Sequence, residues 1–200
     1  MHTSRRLRKS ITVRAATALA LALSLAACTN KVVAPDEPTS ATSPTVTDSL
    51  TPTPAPIPRP TFPESGNSAT VDGAVAAAKY FMAVYTYARQ SGDLSEWNAL
   101  AADDCTFCNA VSASVKAAVD AGHTVTGATV SVLESAGSEI TAGEWYTATL
   151  RVDEAPSQES DRSGRVLTEG GGGPHDLFFA ISWNDGWQID AVDVNATPSK

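Results

Sequence analysis

The residues whose type and spacing could most directly do chemistry are the two cysteines of Cys105-Thr106-Phe107-Cys108. A cysteine at a helix N-terminus meets unpaired backbone N–H groups that stabilise its thiolate, so a C-x-x-C pair placed there could exchange disulfides with a partner. Redox pairs of this kind usually follow a strand in a βαβ layout, whereas helical patterns flank this one on both sides. The alternative is a short disulfide that clamps the start of a helix. A two-residue loop removes little entropy from the unfolded chain, so such a clamp would fix a corner more than it would add stability.

Other candidates are weaker. Were there catalysis, Asp103 or Asp104 would be the base and Tyr85 or Tyr146 the donor, although no spacing singles them out. His123 and His175 read as solvated loop residues, and without a second C-x-x-C no structural zinc is expected. Gly170–Gly173 follows no apolar strand and opens no helix, so it is a flexible loop rather than a phosphate cradle. The residues thus predict no catalytic group, metal or cofactor.

The elements that must position these residues follow from periodicity. Ala74, Ala78, Phe81, Tyr85 and Ala88 recur at three- and four-residue spacing, which predicts a helix over 71–90 with Lys79, Thr86 and Gln90 on its far side. Gly92 supplies a left-handed stop. Asp93-Leu94-Ser95-Glu96 has the form of a capping box for a short helix that buries Trp97 and Leu100. Asp103 or Asp104 then caps a third helix with Cys108, Val111, Val115 and Ala118 on one stripe, ended by Gly122. Beyond it the period falls to two. Strands are expected over 125–134 and 144–152, then a polar, mobile excursion over 155–175 with a weak strand at 165–168. Strands over 177–183 and 187–194 flank Asn184-Asp185-Gly186, a strong hairpin signal. Helices followed by strands predict an α+β domain over 69–197, with three N-terminal helices on a curved antiparallel sheet of about four strands.

The chain before residue 69 is of another kind. Residues 1–27 read as an export signal, with a basic head (Arg5, Arg6, Arg8, Lys9, Arg14) and an apolar core from Ala15 to Leu25 too short for a permanent span. From Thr29 to Ser68 the chain carries nine of its 12 prolines, mixed with Thr and Ser, and no hydrophobic period. Proline removes backbone donors and fixes φ, so residues 28–68 are expected to be a disordered tether with a reach of roughly 35 Å as a coil. Removing Lys31–Gly66 should then leave the domain's thermal midpoint nearly unchanged. All 22 acidic residues lie after the signal against nine basic ones, which moves the net charge from −8 to −13. Such a surface lacks the basic footprint of nucleic-acid binding and is repelled by anionic lipid.

Leu25-Ala26-Ala27-Cys28 closely resembles the lipobox of bacterial lipoproteins. The resemblance implies diacylglyceryl attachment at Cys28, cleavage just before it, and a chain held at the extracytoplasmic face of the cell membrane, since two acyl chains leave a bilayer very slowly. With Cys28 modified, Cys105 and Cys108 are the remaining pair in an oxidising compartment and are expected to form a disulfide. Ala77-x-Lys79-Tyr80-Phe81, Tyr87-Ala88, Ser91-Gly92-Asp93 and Cys105-x-x-Cys108 also resemble an uncharacterised family of actinobacterial secreted lipoproteins. The order of helices and the Asp185-Gly186-Trp187-x-Ile189 hairpin resemble the NTF2-like (cystatin-like) cone. In such a cone Tyr80, Phe81, Tyr85, Trp97, Trp145, Trp183 and Trp187 could line the mouth as a pocket, but they read first as the core of a small α+β domain. Neither resemblance carries an activity over, because the cone serves many functions. The reading is a binding or interaction module at the cell envelope, with an envelope protein or a small-molecule ligand as partner. The alternatives are a small-molecule binder or an isomerase- or dehydratase-like enzyme using the cone's cavity and, as a third option, a thiol–disulfide partner.

Overall fold

The computed structural model describes residues 57–196, so the export signal, Cys28 and most of the Pro/Thr-rich segment lie outside the described residues. The first long element is α1, Val71–Ser91. The Thr70 hydroxyl accepts from the Gly73 amide at 3.1 Å and satisfies one free donor at its start. At its end Gly92 takes φ 77, the left-handed stop its sequence position predicts. Ala74, Ala78, Phe81 and Ala88 are fully buried, as the spacing requires.

The burial of α1 goes further than one face. Thr86 and Gln90, expected to face away from the core, bond instead to a corner of the β-structure. The Thr86 hydroxyl donates to the Ala128 carbonyl at 3.2 Å and the Gln90 amide to that of Gly127 at 2.6 Å. Of the three residues placed on the far side, Lys79 alone is exposed.

Two short-range expectations at the next helices are corrected. In α2, Ser95–Leu100, there is no capping box. Asp93 stands one position too early, and its carboxylate accepts from the amide (2.9 Å) and hydroxyl (2.6 Å) of Ser95 in an Asx turn. Neither Asp103 nor Asp104 caps α3, Thr106–Ala121. The cap is Cys105, whose sulfur accepts from the Cys108 amide at 3.2 Å while both acids remain exposed. Gly122 ends this helix as expected.

Seven strands follow, not about four. They are β1 Thr124–Gly127, β2 Val130–Thr141, β3 Trp145–Glu154, β4 Ser157–Ser160, β5 Val166–Gly170, β6 Gly173–Trp183 and β7 Trp187–Ala196. β2, β3, β6 and β7 form one antiparallel sheet in that order, and β1, β4 and β5 form a second. The split occurs at a corner. Gly127 at φ 75 and Ala128 at φ 56 turn the chain between β1 and β2. Ala155 and Pro156 break β3 from β4 beside it, with the Ala128 amide donating to the Pro156 carbonyl at 3.2 Å. A side chain at Gly127 would come within 2.0 Å of that carbonyl oxygen, so the corner needs both glycine's left-handed freedom and its missing Cβ.

The excursion expected over 155–175 is therefore largely a paired hairpin, β4 against β5. His175 sits inside β6 rather than in a loop. The β6–β7 hairpin forms about Asn184-Asp185-Gly186, with Trp183 opposite Trp187.

The core lies between the helices and the inner face of the four-stranded sheet. Tyr146, Ala148, Leu150 and Val152 alternate inward along β3, Leu177, Phe179 and Ile181 along β6, and Ile189 and Val192 along β7. Packing also begins before the expected boundary at residue 69. The strap from Ile57 through the 3-10 turn Glu64–Gly66 lies on α1, with the Phe62 ring edge-on to Tyr80 at 4.9 Å. The Trp187 indole donates to the Gly66 carbonyl, and Arg59 pairs with Asp93 while lying over the Tyr87 ring.

Candidate functional site

The aromatic residues singled out from the sequence separate into three groups. Phe81 and Trp97, both fully buried, stack at 4.1 Å, and Phe179 meets Phe81 edge-on. Tyr85 and Phe107 pack against Trp97 at 6.1 and 6.2 Å, and both are half-exposed. Trp187, Trp183 and Tyr146 form a separate cluster, and Tyr80 belongs with Phe62 and the strap. Trp145 is 44% exposed on the outer side of the sheet. The interior of the domain is thus filled by side chains.

Cys105 and Cys108 form a disulfide, each residue 1% exposed. The Trp97 indole donates to the Cys108 carbonyl at 3.1 Å, which ties the clamp to the aromatic core. A sulfur this deeply covered cannot be reached by an attacking thiolate without local opening. The pairs considered for acid–base work are not brought together. Tyr85 bonds Arg89 and Glu154, and Tyr146 bonds Glu139, while Asp103 and Asp104 stand exposed before α3.

A different constellation is assembled where α1, α3 and the sheet meet. Tyr85 and Arg89 lie one helical turn apart on α1. Glu154 ends β3 and His175 lies near the start of β6, both on the inward-facing register of Val152 and Leu177. Arg89 donates through one nitrogen to the Tyr85 hydroxyl at 2.8 Å and to Glu154 at 3.0 Å, and the Tyr85 hydroxyl donates to the same carboxylate at 3.3 Å. His175 Nε2 stands 4.0 Å from the other Glu154 oxygen, and its buried Nδ1 has no partner among the described residues. Burial pushes the Tyr85 phenol up, opposed by the nearby Arg89 guanidinium, so it stays protonated at neutral pH. Arg89 and Glu154 neutralise one another, which lets both be half-buried.

This cluster borders a seam between α1 and α3. A cavity of about 300 Å³ is lined by Tyr85, Arg89, Phe107, Val111, Ser114 and Val115. A second, of about 190 Å³, shares Arg89 and Val115 and adds Gln90, Ser91, His123 and Thr124. His123 Nδ1 lies 2.6 Å from Glu159 of β4, so it too is paired rather than solvated. A wider groove of about 690 Å³ runs between α1, the strap and β2, lined by small side chains together with Asp72, Lys79 and Tyr80. The seam holds Tyr85, Arg89 and His123, with Glu154 behind Arg89.

Sequence reasoning missed Arg89, Glu154 and His175. Arg89 lies four residues after Tyr85, the one local signal available, but Glu154 and His175 join it only through strand register. The arrangement can hold a polar ligand group at Arg89 and an apolar body on Phe107 and Val111.

Fold and site together define an α+β domain with antiparallel sheets, an aromatic-filled interior and a charged surface seam. Over residues 50–193 the chain matches the model of a family of unknown function (DUF6318), and it belongs to that family. No curated protein matches it. Among solved structures, it is similar to the intermembrane space region of the chloroplast protein ARC6, with 12% identity and a TM-score of 0.49 over 64% of this chain and 98% of that one. It is also similar to an uncharacterised protein with a cystatin-like fold from Caulobacter vibrioides, with 10% identity and a TM-score of 0.42 over 63% and 91%.

Proposed function

We propose that this chain is a lipid-anchored extracytoplasmic binding module, tethered through Cys28 and presenting an NTF2-like domain to a small molecule or an envelope protein. The observation that carries the interaction-module reading over a ligand or substrate held inside the cone is the filled interior. With Phe81, Trp97 and Phe179 packed together, a ligand has the α1–α3 seam rather than a deep, dry cavity. Proton-moving chemistry wants a carboxylate or imidazole free to face substrate. Here Glu154 is held by Arg89 and Tyr85, which favours binding over an isomerase- or dehydratase-like reaction. The buried disulfide weighs against a thiol–disulfide exchange role.

The anchor rests on the basic head, the short apolar core and Leu25-Ala26-Ala27-Cys28. The nine prolines that follow suit a spacer between bilayer and domain, and the −13 charge suits a globule kept off anionic lipid. Cys28→Ala is expected to abolish membrane retention. Unchanged partitioning of that variant into the detergent phase would defeat the anchor.

A further inference from the structure

We propose that the seam binds an amphipathic monoanion, an aryl or short acyl carboxylate, with its body in the larger cavity and its carboxylate at Arg89. This rests on the reading of the domain as a binding module, and it names the ligand's chemistry.

Three observations fix the class. First, the two cavities share Arg89 and Val115 but differ in character. The larger is walled mainly by Phe107, Ala110, Val111 and Val115, whereas the smaller sets Gln90, Ser91, His123 and Thr124 beside Ala118, Val119 and Val125. An apolar cavity adjoining a more polar one suits a molecule with an apolar and a polar end.

Second, the sign of charge is set by what faces inward. Of the Tyr85–Arg89–Glu154–His175 group, Tyr85 and Arg89 line the larger cavity, whereas Glu154 and His175 do not. Arg89 bonds Tyr85 and Glu154 through Nη1 alone, so the guanidinium retains N–H donors without a partner among the described residues. The planar fork suits a carboxylate, and His123 supplies a further ring nitrogen in the smaller cavity. Glu159, on His123, is the other carboxylate close to this end, and it is engaged with that ring at 2.6 Å.

Third, the size is bounded. About 300 Å³ and 190 Å³ match the buried part of a small ring or short chain with one head group.

The test uses the full-length chain in lipid nanodiscs, with empty discs as blank. Titration calorimetry would compare 4-phenylbutyrate with its neutral amide and with 4-phenylbutylamine. The acid should bind about tenfold or more tightly than either analogue, the worth of a charge-assisted hydrogen bond. Arg89→Gln should erase that preference. Ser114→Trp fills the larger cavity from an exposed position and leaves the Arg89–Glu154 pair intact, so it should weaken the acid by a similar factor. Equal binding of the amide, or preference for the amine, would overturn the anionic class while leaving the seam as a ligand site. Absence of binding by all three probes, or binding indifferent to Ser114→Trp, would overturn the seam itself and with it the small-molecule form of the proposed function.

Discussion

At the scale of single residues, the Arg89–Glu154 pair is the most informative group in the domain. Each charge is half-buried, and each is kept from an isolated burial cost by the other and by the Tyr85 hydroxyl. Arg89→Gln and Glu154→Gln should each cost about 1–2 kcal/mol, and the double variant should cost less than the sum. A coupling energy below about 0.5 kcal/mol in a urea-unfolding cycle would show that the pair is merely surface decoration. Arg89→Lys should recover much of the loss, because Arg89 makes both contacts through one nitrogen, a role an ammonium with three donors can take.

Asp93 makes a prediction in pH. The Ser95 hydroxyl and amide, followed by Tyr87 and Arg59, hold its carboxyl down to about 2, below the ordinary 3.8. A carboxyl whose folded value is depressed contributes stability that is present above its unfolded value and is lost as pH falls towards the folded one. The gap in thermal midpoint between the wild type and Asp93→Asn should therefore be constant above about pH 5 and shrink between pH 4 and pH 2. A gap that stays constant down to pH 2 would contradict the assignment.

At the scale of elements, the strap changes one sequence expectation. Proline density from residue 52 to 63 reads as tether throughout, yet Phe62, Gly66 and Arg59 are bound to α1, β7 and Asp93. Composition cannot show this, because a proline-rich segment needs no hydrophobic period to lie in a groove that another element provides. Deleting residues 31–56 should leave the domain's stability within about 0.5 kcal/mol, as for a surface change. Extending the deletion through Gly66 should lower it by at least about 2 kcal/mol, since it uncovers Tyr80 and leaves the Trp187 indole without its acceptor. Circular dichroism melts of the two deletions decide the matter, and equal midpoints would return the strap to the tether.

The same logic explains the extra strands. Ser157–Ser160 has no apolar alternation to reveal it, and is held by backbone pairing to β1 and β5. The run from Val125 to Glu134 looked continuous because the corner at Gly127 and Ala128 lies within an otherwise alternating pattern.

At the scale of the whole molecule, location and folding are written in different languages. The proposed export signal and the proposed anchor at Cys28, like the acidic balance, belong to the linear sequence and would act without any fold. The domain is a cooperative object in which α1 is covered on more than one side, by the sheet, by the strap and by α2. The disulfide matches this division of labour. Joined across two residues and buried beside Trp97, it fixes the α2–α3 corner from which Phe107 reaches the seam.

Three helices, the glycine stops of α1 and α3, the last hairpin and the α+β class were determined by the sequence alone, because each depends on contacts a few residues apart. The chemical site was decided by the tertiary structure. Arg89 and Glu154 are 65 positions apart and meet only because β3 ends where α1 completes its fifth turn. The same packing decided how the aromatic rings fill the interior, since which rings face one another depends on helix placement across the sheet and not on any spacing along the chain.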